Sequence, residues 1–235
     1  VPHRAAARRG ALAAARAPPA RDRPSSACKA HASPTPKGAL SSRRGALALG
    51  AAGLLLRVPL ARADEYDDEQ LALLAEARGL PPIGVAAPVF DLSTNSGNGK
   101  VSLESFRGGW VCLYFYPKDF TGGCSIEAAK FQSDLGKFQA AGASVLGVSV
   151  DTVDSHRAFC EKKKLTFPLL SDSDAAVSKA YGSVEDYGSY GLLSARNTFL
   201  IAPDGTIAYE WVDVRPAAHS TEVLAKLEEL KARAA

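Results

Sequence analysis

Trp110-Val111-Cys112-Leu113-Tyr114-Phe115-Tyr116 runs directly into Pro117-Lys118-Asp119-Phe120-Thr121-Gly122-Gly123-Cys124, and a stretch with helical spacing, Ser125 to Ala141, follows. The first seven residues are almost wholly apolar and β-favouring. A run without polar alternation is expected of a strand covered on both faces. Gly122 and Gly123 mark a turn. Ile126, Ala129, Phe131, Leu135 and Phe138 recur at intervals that broadly fit one helical face, and Gly142 stops the helix. The unit is a buried strand, a glycine turn and a helix, with a cysteine at the join.

Outward from this unit the same alternation continues. Ala143 to Val150 reads as a second buried strand, Val153 to Lys164 as a helix capped by Asp151 or Thr152, Phe167 to Leu170 as a strand and Asp174 to Tyr181 as a helix. Upstream, Val89 to Leu92 and Val101 to Leu103 flank the turn Asn95-Ser96-Gly97-Asn98-Gly99, which predicts a hairpin. Downstream, Asn197 to Ile201 and Ile207 to Val212 flank Pro203-Asp204-Gly205-Thr206 as a second hairpin, and Ala217 to Ala232 closes the chain as a helix. Strands alternating with helices predict an α/β core with antiparallel edges. The pattern is compatible with a thioredoxin-like fold: a central mixed sheet flanked by helices, with an N-terminal β-hairpin. A fold alone does not give a function.

Charge divides the chain. Residues 1–63 hold 12 Lys and Arg against one acid, Asp22, a formal +11, whereas residues 64–235 hold 16 against 24, a formal −8. The whole-chain pI of about 8.7 therefore describes no one surface. An acidic body speaks against a nucleic-acid partner, because phosphate needs a basic face. Residues 1–63 are rich in Ala, Arg, Ser and Pro, as plastid or mitochondrial transit peptides are. Ser41-Ser42-Arg43-Arg44-Gly45, the apolar run Ala46 to Leu56 and Ala61-Arg62-Ala63 then form an n-region, an h-region and an Ala-x-Ala cleavage site in order, and the paired arginines resemble a twin-arginine export signal. The apolar run falls short of the roughly 20 residues a spanning helix needs. This two-part leader resembles thylakoid-lumen precursors; the alternative is a single transit peptide and a stromal protein. The expected division is a targeting presequence over 1–63, an acidic helix-prone arm over 64–82 and a folded domain over 83–235. The arm, with Leu71, Leu73 and Leu74 as its apolar positions, reads either as a free segment or as a helix packed on the domain, and Pro81-Pro82 ends it. Nothing after residue 63 is long and apolar enough for stable membrane insertion.

Cys28 lies in the leader, which leaves Cys112, Cys124 and Cys160. There is no Cys-x-x-Cys pair, which speaks against a disulfide oxidoreductase, and no His/Cys cluster with zinc spacing. Cys112, inside the apolar strand, reads as core. His156 and His219 carry no recognisable ligand spacing, and Trp110 and Trp211 read as packing residues. Cys124 differs in its setting. The thiolate is the nucleophilic form, and free cysteine ionises only near pH ~8.5. A helix N-terminus supplies free N–H groups and positive partial charge that stabilise an anion. Gly122 and Gly123 let the backbone approach closely. Thr121 offers a hydroxyl on the same turn, and Pro117 can cover one side.

Pro117, Thr121 and Cys124 fill the pattern Pro-x-x-x-Thr-x-x-Cys, which resembles the peroxiredoxin signature. The similarity runs from Gly84-Val85-Ala86-Ala87-Pro88-Val89-Phe90 through Leu113 to Lys118 and on to Arg196-Asn197-Thr198-Phe199-Leu200-Ile201. The subgroup it most resembles is peroxiredoxin Q, or bacterioferritin comigratory protein. The resemblance implies a thioredoxin fold and reduction of hydrogen peroxide and organic hydroperoxides at Cys124, without metal, haem or other cofactor. It implies that Arg196 stabilises the thiolate and holds the peroxide oxygens. Thr121 would hydrogen-bond the peroxide or the thiolate, and backbone N–H groups near Gly123 and Cys124 would steady the leaving oxygen. Glu127 reads as a cap, as a partner for Arg196, or as an ordinary solvated helical glutamate. A monomer is expected by resemblance.

Peroxide attack leaves a sulfenic acid that a second thiol can condense with. Many peroxiredoxin Q proteins carry that thiol five residues on, a position held here by Ala129. Cys160, on the next helix, is the substitute some members of the subgroup resemble. A disulfide needs Cα atoms roughly 4.4–6.8 Å apart. The first turn of the Cys124 helix, and with it the Cys160 helix, is therefore expected to unwind in turnover. Thioredoxin or a similar dithiol protein would recycle the disulfide. The alternatives are a one-cysteine peroxidase resolved by an external thiol, or a redox-sensing or chaperone-like protein that uses the same cysteine.

Overall fold

A computed structural model of the chain describes residues 68–95 and 99–234. The expected leader, its cleavage site and the start of the arm lie outside the described residues, as does the tip of the first hairpin. Helix α1 (Asp68–Arg78) precedes the antiparallel pair β1 (Asp91–Thr94) and β2 (Lys100–Ser102). Strand β3 (Trp110–Phe115), helix α2 (Gly122–Ala140) and strand β4 (Ala143–Ser149) form a parallel unit with α2 as its crossover. Helix α3 (Val153–Lys163) leads to β5 (Leu169–Ser171), also parallel to β4. The short α4 (Ala176–Ala180) is followed by a separate two-stranded ribbon, β6 (Val184–Asp186) and β7 (Leu192–Ser194). Antiparallel β8 (Thr198–Ile201) and β9 (Ile207–Trp211) and helix α5 (His219–Ala234) complete the chain.

The main sheet runs β2-β1-β5-β4-β3-β8-β9, parallel at its centre and antiparallel at its edges. This is the thioredoxin-like mixed sheet expected from the alternation of elements. β3 explains its own apolar run. Cys112, Tyr114 and Tyr116 join one core cluster with Phe131 and Phe138 of α2, Phe159 of α3 and Val223 and Leu227 of α5. Val111, Leu113 and Phe115 join a second cluster with Phe199, Tyr181, Ala75 and Leu80. Successive side chains of a strand point to opposite faces, so a strand buried on both shows no polar alternation.

Three expectations need correction. The buried face of α2 is Cys124, Glu127, Ala128, Phe131, Asp134 and Phe138, while Ile126 and Ala129 are exposed. Two carboxylates sit inside because partners await them, as Ser220 Oγ does for Asp134 at 2.7 Å. In α1, Leu74 packs against the core as expected, but Leu73 is exposed and Ala75 takes the buried place. Between Tyr181 and Arg196, where periodicity assigns nothing, the β6–β7 ribbon forms from strands of three residues each.

Candidate functional site

β3 delivers the site. Its chain continues through buried Tyr116 and Pro117 into the loop Lys118–Thr121. Thr121 takes an extended N-cap conformation, and the first helical bond runs from Ser125 N–H to Thr121 O at 2.9 Å. Cys124 therefore lies in the first turn of α2, where backbone N–H groups precede the helical ladder and the helix dipole favours negative charge. Its side chain is buried at the end of the core cluster.

Arg196 reaches this sulfur from the neighbouring strand. Phe115 N–H donates to Asn197 O at 2.8 Å, so the residue before β8 lies level with the end of β3. Arg196 donates from Nη2 to Cys124 Sγ at 3.2 Å and from Nη1 to Glu127 Oε2 at 2.9 Å. Gly123 makes the approach possible: a Cβ there would stand 2.8 Å from Arg196 Nη2. Its lack of a side chain is needed for space, not for backbone conformation. Burial pulls the guanidinium down, but the charges of Cys124 and Glu127 outweigh it and hold it above its ordinary value. Glu127 is fully buried and is no solvated helical glutamate. Burial pushes its carboxyl up to about 7 against the opposing pull of Arg196, and its Oε1 has no hydrogen-bond partner.

The remaining expected residues divide. Thr121 Oγ1 donates to Lys118 O at 3.0 Å, so its proton is engaged within the loop and only its lone pairs face outward. Pro117 is buried beneath the loop. Cys160 lies on α3 and belongs to the same core cluster as Cys124. Asn95 Nδ2 donates to its sulfur at 3.3 Å, and burial, with the nearby Asp119 charge, pushes its thiol up to about 12. Cys112 is wholly buried in the core, and burial pushes its thiol up. All three are free thiols.

Sequence reasoning missed the far side of the loop. Asp119, in the loop five residues before Cys124, is buried and accepts from Tyr116 OH at 2.8 Å and Ser155 Oγ at 2.7 Å, and its Oδ2 lies 2.9 Å from His156 Nδ1. Its own N–H donates to Asp151 Oδ2 at 2.8 Å, which Ser149 Oγ also supports at 2.8 Å. Next to it, Phe120 has φ 63, sparsely populated for an aromatic residue. Its ring packs edge-on against Phe159 with centroids 5.1 Å apart, and Lys162 Nζ stands 5.5 Å from its centroid. The cysteine loop is thus pinned to α3. No spacing in the sequence links Asp119 to His156. Among the described residues, no group of three or more His, Cys, Asp and Glu side chains is placed to hold a metal ion, and no helix is long and apolar enough to cross a membrane.

Residues 83–210 match the AhpC/TSA family. The chain is 42% identical over 146 residues to the peroxiredoxin Bcp of Xanthomonas campestris pv. campestris, spanning 60% of this chain and 91% of that one. It is 39% identical over 149 residues to the chloroplastic peroxiredoxin Q of Sedum lineare, spanning 63% and 78%. In three dimensions it is similar to solved structures of Xanthomonas campestris peroxiredoxin Q, at 40% identity and a TM-score of 0.56 over 60% of this chain and 90% of that one. One of these concerns that protein's alkyl peroxide reduction, through trapped intermediate and ligand complexes. Two others replace one or the other of two cysteines by serine.

Proposed function

The chain belongs to the AhpC/TSA family, in its peroxiredoxin Q and Bcp group, and on that premise we propose that Cys124 is its peroxidatic cysteine, Arg196 the residue that holds peroxide, and Cys160 the resolving cysteine. The protein is a thiol-dependent peroxidase. The observation that carries the assignment is the 3.2 Å contact of Arg196 Nη2 with Cys124 Sγ at a helix N-terminus. A guanidinium and free N–H groups aimed at one point favour the thiolate and the oxyanion that leaves it. The thiolate attacks one peroxide oxygen, the O–O bond breaks as the S–O bond forms, and the peroxide's proton goes to the departing alkoxide. Sulfur is oxidised by two electrons and the peroxide is reduced to an alcohol, or to water. Because Thr121 Oγ1 has its proton on Lys118 O, its role is to accept from the peroxide O–H and orient it. Pro117 shields the sulfur from water, and Gly123 admits Arg196. Glu127 holds the second arm of the guanidinium.

The Cys160 thiol then condenses with the sulfenic acid, releasing water and forming the disulfide, which thioredoxin or a similar dithiol protein reduces. Two features support Cys160 in this role. It shares the core cluster of Cys124. The two cysteines replaced in the Xanthomonas protein also stand as far apart along that chain as Cys124 and Cys160 do in this one. The protein acts as a monomer. Chloroplastic plant relatives and the arginine-rich leader support a plastid location, and the two-part leader its thylakoid lumen. Peroxide consumption by the full chain with a thioredoxin system tests the whole reading. Cys124→Ser should abolish turnover, and mass mapping after one equivalent of peroxide should find a Cys124–Cys160 link. Undiminished thioredoxin-supported turnover in Cys160→Ser would remove Cys160 from the cycle and leave an external thiol in its place.

A further inference from the structure

Helix α1 ends before the family-matched stretch begins at residue 83, yet its last residue is bound to a turn that hydrogen-bonds to the segment carrying Arg196. Arg78 makes a two-armed pair with Asp213, Nη1 to Oδ1 at 3.0 Å and Nη2 to Oδ2 at 2.8 Å. Asp213 has φ 51, a left-handed conformation that a non-glycine residue keeps only where its surroundings fix it. From that turn, two bonds run to the arginine segment. Val214 N–H donates to Arg196 O at 3.0 Å. Asp213 N–H donates to the side-chain carbonyl of buried Asn197 at 3.3 Å. Asn197 in turn donates to Ser183 Oγ at 3.1 Å. Beside Ser183, Gly182 lies so close to the end of α1 that a Cβ would stand 2.8 Å from Arg78 O. The same turn leads to Pro216, whose Cγ would lie 3.6 Å from a Cβ at Gly123. The end of α1 therefore touches two stretches that hydrogen-bond to Arg196 and Asn197.

We propose that Arg78 is a positioning residue: through Asp213 it fixes the turn that holds the Arg196 carbonyl and the Asn197 side chain, and so sets the guanidinium against Cys124 Sγ. This rests on the assignment of Arg196 as the residue that holds peroxide. α1 is then a brace of the active site added outside the family-matched stretch. A two-armed arginine–carboxylate pair has the directional rigidity for this, which a lysine's single ammonium lacks.

The test compares two reactions of Cys124 in the full chain: its single-turnover rate with hydrogen peroxide, which needs the thiolate and a peroxide held by Arg196, and its alkylation by iodoacetamide, which needs the thiolate alone. Arg78→Ala and Asp213→Asn should each lower the peroxide-to-alkylation ratio by about tenfold, within the ~100-fold that misplacing a reacting group can cost. Asparagine tolerates the left-handed conformation, so Asp213→Asn removes the charge and spares the turn. The double variant should be no worse than either single one, because the pair acts as a unit. Arg78→Lys should recover only part of the ratio, and it keeps the test open if Arg78→Ala does not fold. Arg196→Lys, run in parallel, separates the two claims. If its ratio falls while those of the Arg78 and Asp213 variants hold, the brace is refuted and Arg196 stands. If its ratio also holds, the peroxide-holding role of Arg196 fails and the brace fails with it.

Discussion

Cys124 and Cys160 share one apolar cluster, but different polar groups face them. Cys124 faces donors: a helix N-terminus, and a guanidinium at 3.2 Å. Cys160 accepts from one amide donor, but burial and the nearby carboxylate of Asp119 push its thiol up to about 12. On the proposed assignment the first sulfur is the one that meets peroxide, and the second is kept as a thiol until it condenses with the sulfenic acid. The loop between them serves both. Thr121 and Cys124 belong to the reactive side, while Asp119 and Phe120 hold α3 in place. On the proposed roles of the two cysteines, the stability of this polar latch is what would separate peroxide attack from resolution.

The comparison is most severely tested at Arg196. Arg196→Ala should slow sulfenate formation by about 10²–10³-fold, the cost of losing one preorganised donor, while labelling of Cys160 in the native protein stays as it was. Stopped-flow fluorescence under excess peroxide reads the first and mass spectrometry the second. A fall of less than about threefold, under 1 kcal/mol, would mean that the two sulfurs are not distinguished by this side chain.

Glu127 sharpens the reactive side. With its carboxyl pushed up to about 7 by burial, the folded protein keeps a proton that the unfolded chain gives up near 4.5. Folding therefore binds a proton between these values, and stability falls as pH rises through that window. The loss is on the order of 3 kcal/mol once the carboxyl is ionised. Denaturant unfolding at pH 5 and pH 8 should show it in the parent chain and not in Glu127→Gln. Glu210, whose carboxyl burial also pushes up to about 7, is common to both and cancels in the difference. Parallel pH profiles for the two proteins would contradict the burial argument.

The latch side is tested by Asp119→Asn. The amide keeps the shape but loses one of two acceptors, Oδ1, which serves Tyr116, or Oδ2, which Ser155 and His156 share. A loss of about 2 kcal/mol is expected for a buried network left partly unsatisfied. Alkylation of Cys160 in the native protein should rise several-fold by the same measure, and disulfide formation after peroxide should not slow. Unchanged Cys160 labelling in a destabilised variant would show that Asp119 stabilises the fold without gating α3.

Legibility followed burial. The β3–α2–β4 unit could be read because a strand buried on both faces has an unmistakable composition. The β6–β7 ribbon could not, because three-residue strands carry too little pattern. The face of α2 was misassigned at Ile126 and Ala129 because Glu127 and Asp134 point inward to partners supplied by distant segments, Arg196 and Ser220. The place of Cys124, after a glycine turn at the start of a helix, was legible from local sequence. Arg196 came only through family resemblance. Asp119 with His156 and Arg78 with Asp213 had no signal at all, since hydrogen bonds between residues 37 and 135 positions apart leave no spacing to find.

The smallest effect should come from Asn95. Its side chain donates to Cys160 Sγ at 3.3 Å and accepts from Leu169 N–H at 2.8 Å, so it ties the end of β1 to β5 as well as capping the thiol. A sulfur is a weak acceptor, and most of the stabilisation lies in the backbone bond. Asn95→Ala should cost about 1 kcal/mol and raise Cys160 labelling by less than Asp119→Asn does. Asn95→Asp separates the two functions: it keeps an oxygen for Leu169 N–H but turns a carboxylate towards the sulfur. If the amide donor matters to the thiol, Asn95→Asp should label more slowly than Asn95→Ala, because a second negative charge beside Cys160 further disfavours its thiolate. Equal labelling of the two variants would leave burial and Asp119 as the only restraints on that sulfur.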